Sequence, residues 1–240
     1  MTNVLPDKPV GALINGLAIL RYLSSANEPV GVTRVAKDLQ LNPSTSFNLL
    51  KTLVHEGLVN FDEITKTYTI GLGLVELSKR ALGRHSCVRV VRPYLQVIAD
   101  RFHVTATLWL RIHGERVILM DLADSGSAIR VHMSIGQRLP MFIAAFGRCM
   151  AAAINLSDRE LYEKFVSLRW ENEPSFEAYL QDVKQCRADG FAIDRGFYAK
   201  GVTTIASAIL DDLKRPVMAI SAVGLSAQLT ESNIAQIAAV

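Results

Sequence analysis

The sequence predicts an α+β fold in two parts, a mainly helical N-terminal part and a C-terminal part built on an antiparallel sheet. Three observations predict it. Residues 32–70 contain two short helical patterns followed by two strand patterns, a helical stretch continues to about residue 85, and from Ala106 onward strand and helix patterns are mixed. Half of the 240 residues are apolar, which is enough for packed cores in both parts.

The first part begins with helical patterns. After a loose arm at residues 1–9, a helix is expected from about Ala12 to Ala26, and a short one at residues 32–39. Asn42-Pro43 predicts the start of the next helix, because Asn accepts hydrogen bonds from free helix-start amides and Pro suits the first turn. Gly57 fits the left-handed position that ends a helix.

Residues 58–61 and 66–70 favour strands and flank the polar turn 62–65, which predicts a hairpin. Two helices followed by a hairpin make a winged helix-turn-helix, which presents its second helix to the major groove of DNA. The side chains expected to reach phosphates or base edges are Arg34, Ser44, Thr45, Phe47, Asn48, Lys51 and Lys66. Such helix pairs also dock proteins, and eight basic against seven acidic residues over 1–80 do not decide between the two roles.

The helical stretch from Leu72 to about His85 is expected to link the two parts, and a helix at 88–102 follows it. Strands are expected at 107–112, 117–122, 129–133, 191–193, 203–210 and 216–223. Helices are expected at 146–155, 158–166 and 176–189 and from Thr230 onward. Helices beside an antiparallel sheet are typical of an α+β sensor domain.

From about Leu13 to Gln236, the chain resembles the IclR family of bacterial transcriptional regulators. The runs that carry the resemblance are Leu39–Thr45, Leu49–Leu53, Tyr68–Gly71, Gly136–Pro140, Ala145–Arg148, Gly190–Asp194, Gly201–Ala206 and Ala219–Ser221. Five of these runs stand in the family's order downstream of an independently predicted winged helix.

The resemblance implies three segments: a DNA-binding domain at 10–71, a linker helix at 72–86 used in dimerisation, and a GAF-like effector-binding domain at 87–240. The implied partners are operator DNA, a small organic-acid effector and further copies of the chain, as a dimer or a dimer of dimers. Neither the effector nor the operator sequence follows from the resemblance.

The resemblance also implies an effector site where the loop before the helix at Phe146 meets two long strands. Its implied contact residues are Leu139, Ala145, Phe146, Asp194, Val202, Thr204 and Ser221. The amides of Ala145 and Phe146 would receive a carboxylate at a helix start. The bulk of Phe146 and Met141-Phe142-Ile143 favours an effector with an aromatic or apolar body. The alternative for Asp194 is a structural ion pair with Arg195.

Other functions find less support. No run approaches the roughly 20 apolar residues of a membrane span, and no signal pattern stands at the N-terminus, so a cytoplasmic protein is expected. The three cysteines and five histidines lack metal-ligand spacing, and no metal or cofactor is expected. Cys149 has no identifiable paired base, which argues against an enzyme. The alternative function is a metabolite-binding or catalytic sensor domain with a helical protein-docking module.

Overall fold

The computed structural model describes residues 9–84, 86–154 and 156–240. Most of the predicted arm at 1–9, the C-terminal end of the predicted linker at His85 and the end of the predicted helix 146–155 lie outside the described residues. The chain divides between His85 and Ser86 into two compact units.

The N-terminal unit contains four helices and a small sheet in its described part. Its elements are α1 (Gly11–Ser25), β1 (Val30–Gly31), α2 (Val32–Asp38), α3 (Pro43–His55), β2 (Val59–Asp62), β3 (Thr67–Ile70) and α4 (Gly73–Arg84). The three strands are antiparallel in the order β1-β3-β2, with Val59 opposite Ile70 in the hairpin. The two-residue strand β1 was not predicted from the sequence, because it is too short to produce an alternating pattern.

The local signals around α3 act as the sequence indicates. The Asn42 Oδ1 accepts hydrogen bonds from the Ser44 N–H at 3.0 Å and the Ser44 hydroxyl at 2.8 Å, which caps the helix start. Gly57 follows the helix end with φ of +68°, a conformation that costs an L side chain free energy. Leu50 points into the core of this unit, which leaves the other face of α3 in solvent.

The C-terminal unit is a six-stranded antiparallel sheet with helices on both faces. Its elements are α5 (Ser86–Phe102), β4 (Thr105–Ile112), β5 (Arg116–Ala123), β6 (Arg138–Pro140), α6 (Ala144–Ala153), α7 (Asp158–Phe165), α8 (Phe176–Asp189), β7 (Ala192–Arg195), β8 (Val202–Leu210), β9 (Pro216–Leu225) and α9 (Glu231–Ala238). The strand order is β6-β5-β4-β9-β8-β7.

Two cores lie on opposite faces of this sheet. Helices α6 and α8 pack over one face with Trp109, Leu119 and Ala219, and α5 and α9 pack over the other with Leu108 and Ala222. Eight of the ten residues of α6 are buried. The face covered by α6 and α8 is called the α6 face below.

The strand predicted at 129–133 is wrong, because these residues lie in a loop. The edge of β5 is occupied by the residues that follow, with Leu139 opposite Val117 and the Gln137 carbonyl accepting from the Leu119 N–H at 2.9 Å. Residues 129–133 pair with no strand, and the Val131 carbonyl instead accepts from the Thr105 hydroxyl at 2.9 Å. Alternating polarity cannot show whether a strand has a partner.

Candidate functional site

The exposed face of α3 carries the polar side chains expected at DNA. Ser44, Thr45, Phe47, Asn48 and Lys51 are all exposed, and half of the Phe47 surface is accessible. In the same helix Ser46 is fully buried. The hydroxyl of Ser44 already donates to Asn42, whereas the exposed side chains of Thr45, Asn48 and Lys51 remain available to a partner.

The two other predicted DNA-contact residues lie on α2 and in the wing. Arg34 is exposed on α2, with its Nε 3.6 Å from Asp38. Lys66 follows the wing turn with φ of +56°, and its Nζ lies 5.8 Å from the centroid of the Phe61 ring. The amides of Thr65 and Ile64 donate to Asp62, which lowers the pKa of that carboxyl and fixes the turn in front of Lys66.

All seven predicted effector residues belong to the α6 side of the C-terminal sheet. Strand register places Asp194 opposite Thr204 and Ala206 opposite Ser221, so these side chains share one face. Val202 and Leu139 lie on the same face by alternation, and Ala145 and Phe146 lie in the first turn of α6 above it.

A chain of contacts joins the first turn of α6 to Ser221. The Phe146 and Trp109 rings lie 5.1 Å apart between centroids, and the Trp109 Nε1 donates to the Thr107 hydroxyl at 3.0 Å. That hydroxyl donates to the Ser221 carbonyl at 3.2 Å. The Ser221 hydroxyl itself is buried and has no hydrogen-bond partner among the described residues. An unsatisfied buried hydroxyl is uncommon in a folded protein.

The start of α6 is strained and leaves donors free. Ala144 has φ of +55°, outside the usual range of an L residue. The N–H groups of Ala145 and Phe146 have no acceptor in the part of the chain that the structure describes, although both residues are buried. At Gly147 a Cβ would overlap the carbonyl carbon of Phe142, so only glycine allows this close approach. Buried amides without acceptors are rare, and at a helix start they favour an anion.

Asp194 differs from its neighbours because its oxygens have partners. One oxygen accepts from Arg148 Nη1 at 3.0 Å, and the other accepts from the N–H groups of Phe197 and Tyr198. The proposed ion pair with Arg195 is wrong, since Arg195 lies 2.9 Å from Glu231. A buried pair does exist at Asp194, but its cation stands 46 residues earlier in the chain.

Sequence reasoning missed Arg148 as a candidate for this region. Its side chain is fully buried, its Nε donates to Asp182 at 2.8 Å, and it lies within 6 Å of three aromatic rings. The rings are those of Trp170, Tyr179 and Phe197. A single Arg in an apolar helix was the one available signal, because a cation that is fully buried needs a carboxylate partner.

Comparison with known proteins assigns the chain. The family model "Bacterial transcriptional regulator IclR C-terminal" matches residues 79–240, and the model "IclR helix-turn-helix domain" matches residues 12–63. The chain belongs to the IclR family. It is therefore a transcriptional regulator with an N-terminal DNA-binding helix-turn-helix and a C-terminal effector-binding domain, which confirms the family and fold expected from the sequence.

Curated IclR relatives match over most of their length. The HTH-type transcriptional repressor AllR of Escherichia coli K12 is 29% identical over 235 residues, which are 95% of this chain and 84% of that protein. AllR of Salmonella typhimurium LT2 is 28% identical over the same shares of the two chains.

Solved IclR structures share the fold. The IclR regulator of Alicyclobacillus acidocaldarius has a TM-score of 0.80 at 23% identity, covering 97% of this chain and 94% of that one. An IclR homolog of Microbacterium hydrocarbonoxydans, complexed with 4-hydroxybenzoate, has a TM-score of 0.77 at 18% identity, covering 95% and 96%.

No helix among the described residues is long and apolar enough to cross a membrane. Within the same residues, no three His, Cys, Asp or Glu side chains are grouped as a metal ion requires.

Proposed function

We propose that a small carboxylic acid binds on the α6 face and changes the affinity of this IclR regulator for its operator. The observation that supports this proposal most directly is the unpartnered, buried hydroxyl of Ser221. A ligand oxygen would satisfy it. An effector can shift operator affinity only if it binds two arrangements of the protein unequally.

The carboxylate belongs at the first turn of α6. The free N–H groups of Ala145 and Phe146 and the positive end of the helix dipole both favour an anion there. Leu139 and Val202 supply apolar surface on the same face for the body of the acid, while Thr204 adds a hydroxyl. We assign Asp194 a positioning role, since its oxygens are already engaged by Arg148 and two amides.

An aromatic acid is the first compound to try. The Microbacterium homolog with the same fold was solved with 4-hydroxybenzoate, which carries a carboxylate, an apolar ring and a hydroxyl. These three groups match the chemistry of the free amides, the apolar wall and the Ser221 hydroxyl. Small 2-oxo acids offer the carboxylate and an acceptor without the ring. Comparing them with aromatic acids therefore shows whether binding requires the ring as well as the carboxylate.

On the DNA side, we assign base readout to Asn48 and phosphate contacts to Lys51, Arg34 and Lys66. An Asn side chain pairs with adenine through two hydrogen bonds, whereas Lys and Arg at the rim of a recognition helix neutralise phosphates. Thr45 and Ser44, near the start of α3, and Phe47 complete the proposed surface. Operator DNA is cytoplasmic in bacteria, so this is where we place the protein.

We propose that the functional unit is a dimer formed through the N-terminal unit, or a pair of such dimers. Four apolar side chains of α1 and its N-cap are exposed: Val10, Leu13, Ile14 and Leu17. A row of exposed apolar groups on one helix is typical of a protein interface. Two recognition helices in a dimer would read two half-sites one helical turn apart.

We propose that the C-terminal unit binds its ligand without converting it. Cys149, the nucleophile considered from the sequence, is a poor candidate for catalysis. The hydrogen bond with Cys186 and burial raise the pKa of its thiol, which suppresses the thiolate form that attacks substrates.

The test is a gel-shift titration on the intergenic DNA beside the protein's own gene, repeated with 4-hydroxybenzoate, other aromatic acids and 2-oxo acids. We expect a specific complex whose affinity changes at least fivefold with one acid. The same acid should lose its effect when its carboxylate is replaced by an amide. A complex that is indifferent to every acid, with no acid binding by calorimetry, would refute the effector proposal while leaving DNA binding intact.

A further inference from the structure

Two cysteines that are 37 residues apart in sequence meet between α6 and α8. The Sγ atoms of Cys149 and Cys186 lie 3.5 Å apart, and both thiols are free. The Cys149 thiol also donates to the Ala206 carbonyl of β8 at 3.1 Å. A disulfide requires an S–S distance of about 2.0 Å, so the two sulfurs need to approach by about 1.5 Å.

One of the two cysteines borders a cavity. Cys186 lines a cavity of about 230 Å³ together with Asp182, Gln185, Asp189 and Arg195. One water molecule occupies roughly 30 Å³ in the liquid, so the cavity accommodates a molecule of the size of hydrogen peroxide. Cys149 lies behind Cys186 and is absent from the cavity wall.

The surroundings distinguish the roles of the two thiols. The hydrogen bond with Cys149 and the positive charge of Arg148 lower the pKa of Cys186, against burial and the opposing charge of Asp189. The pKa of Cys149 is raised by the hydrogen bond with Cys186 and by burial. The thiolate is the reactive form, so Cys186, the cysteine that borders the cavity, is also the better nucleophile.

We propose that Cys149 and Cys186 are a site of reversible oxidation, at which hydrogen peroxide or an alkyl hydroperoxide forms a disulfide between α6 and α8. The Cys186 thiolate attacks the peroxide, forms an S–O bond and breaks the O–O bond, which gives a sulfenic acid and releases hydroxide or alkoxide. The Cys149 thiol then attacks that sulfur, the S–S bond forms, and the sulfenic oxygen leaves as water with the thiol proton.

The disulfide changes the interactions that α6 makes with β8 and α8. Cys149 gives up its proton, and with it the hydrogen bond to Ala206 on β8. Helices α6 and α8, which the Arg148–Asp182 ion pair already connects, become covalently linked. A cellular thiol such as glutathione would attack the disulfide and restore both cysteines.

The test uses the full chain treated with stoichiometric hydrogen peroxide and then analysed by intact mass and peptide mapping. We expect a mass loss of about 2 Da, the loss of two of the three thiols, and one crosslinked peptide pair containing Cys149 and Cys186. Dithiothreitol should reverse all three changes. Cys87 is the internal control, because it lies beside Met218 and away from the pair.

Three variants separate this pathway from nonspecific oxidation. Cys186→Ser should abolish the mass loss, Cys149→Ala should leave a sulfenic acid at Cys186 that dimedone labels, and Cys87→Ser should behave like the parent protein. Peroxide consumption directed mainly at Cys87, or unlinked Cys149 and Cys186 peptides in peroxide-treated parent protein, would overturn the proposal. Neither readout requires an effector or DNA, so the outcome is independent of the proposed function.

Discussion

At the scale of single residues, the Arg148 guanidinium connects three elements of the C-terminal unit. It donates to the Ala144 carbonyl at the start of α6, to Asp182 on α8 and to Asp194 on β7. Asp182 is 43% exposed, whereas Asp194 is buried. Asp194 is therefore the carboxylate that compensates a cation removed from water, and its loss costs more than the loss of a surface charge.

We predict that Asp194→Ala lowers the free energy of unfolding of the C-terminal unit by about 3 to 5 kcal/mol, because it leaves a buried cation without its buried partner. Urea unfolding followed by circular dichroism measures this. The matched control is Arg195→Ala on the same strand, which breaks an exposed pair with Glu231 and should cost at most about 1 kcal/mol. Equal effects of the two substitutions would contradict a structural role for Asp194.

Replacing Ser221 should not lower the free energy of unfolding as replacing Asp194 does. Since its buried hydroxyl has no partner, Ser221→Ala should leave the ligand-free protein unchanged or stabilise it by about 1 kcal/mol. The same change should weaken acid binding about tenfold, as calorimetry would show. Thr203→Ala is the control, because Thr203 lies on the other face of the sheet and bonds Ser226. If Thr203→Ala weakened acid binding and Ser221→Ala did not, the acid would bind elsewhere than at Ser221.

The sequence could predict which residue types surround the candidate site, but it could not predict their partners. Ser221, Thr204 and Asp194 were implied by the resemblance to the IclR family, at positions that match that family's pocket. The partner of Asp194 lies on another element, so an adjacent Arg195 was the natural and incorrect choice. The contact between Cys149 and Cys186 likewise depends on how α6 and α8 pack, which no local pattern encodes.

At the scale of elements, the first turn of α6 is held by a glycine that no other residue can replace. We predict that Gly147→Ala destabilises the C-terminal unit by about 3 kcal/mol or prevents it from folding, because a Cβ there would overlap the Phe142 backbone. The control is Gly16→Ala in α1, where a Cβ meets nothing within 4 Å. That change should stabilise the N-terminal unit by about 0.5 to 1 kcal/mol. Thermal unfolding of both variants measures the difference in sign.

In α3, base readout and phosphate contact can be separated by experiment. We predict that Asn48→Ala relaxes sequence preference at one position per half-site and costs about 1 to 3 kcal/mol on the cognate operator. Lys51→Ala should weaken cognate and random DNA alike and reduce the slope of log K against log salt by about 1 per protomer. Lys37→Ala, an exposed cation on α2, is the control. Unchanged gel-shift affinity in both α3 variants would remove that face from the DNA contact surface.

Helices with local start and stop signals and the longer strands could be predicted, whereas the shortest strands and the strand that pairs with β5 could not. Asn42-Pro43 stands at the start of α3, Gly57 follows its end, and Gly190 with φ of +82° ends α8. Those boundaries could therefore be predicted from the sequence. The strand expected at 129–133 is absent, and a later segment, β6, pairs with the first residues of β5 instead. Strand β6 was missed because three residues cannot establish alternation.

At the scale of the whole molecule, the affinity for DNA should depend on the proposed dimer, because the protein carries little net charge. The chain carries a net charge of +3, which gives little nonspecific attraction to phosphates. Two recognition helices in one dimer would multiply the few placed contacts. Operator affinity should therefore depend on protein concentration in the range where the dimer dissociates.

We predict that Leu13→Glu, on the exposed apolar side of α1, shifts the protein from dimer to monomer in sedimentation velocity and raises the concentration for half-maximal operator shift at least tenfold. The control Leu213→Glu changes a similarly exposed leucine in the β8–β9 turn and should leave both quantities unchanged. A Leu13→Glu protein that remains a dimer would exclude this side of α1 as the interface.

The burial of α6 also determines which amide hydrogens should exchange more slowly when a ligand binds. A helix with eight of ten residues enclosed has few local openings, so its amide hydrogens exchange with solvent only when most of the C-terminal unit opens. An acid bound at its first turn should thus slow exchange across α6, α8 and the strands beneath them together, rather than at the contact residues alone. Hydrogen exchange would then report the effector as a change in the cooperativity of the entire unit.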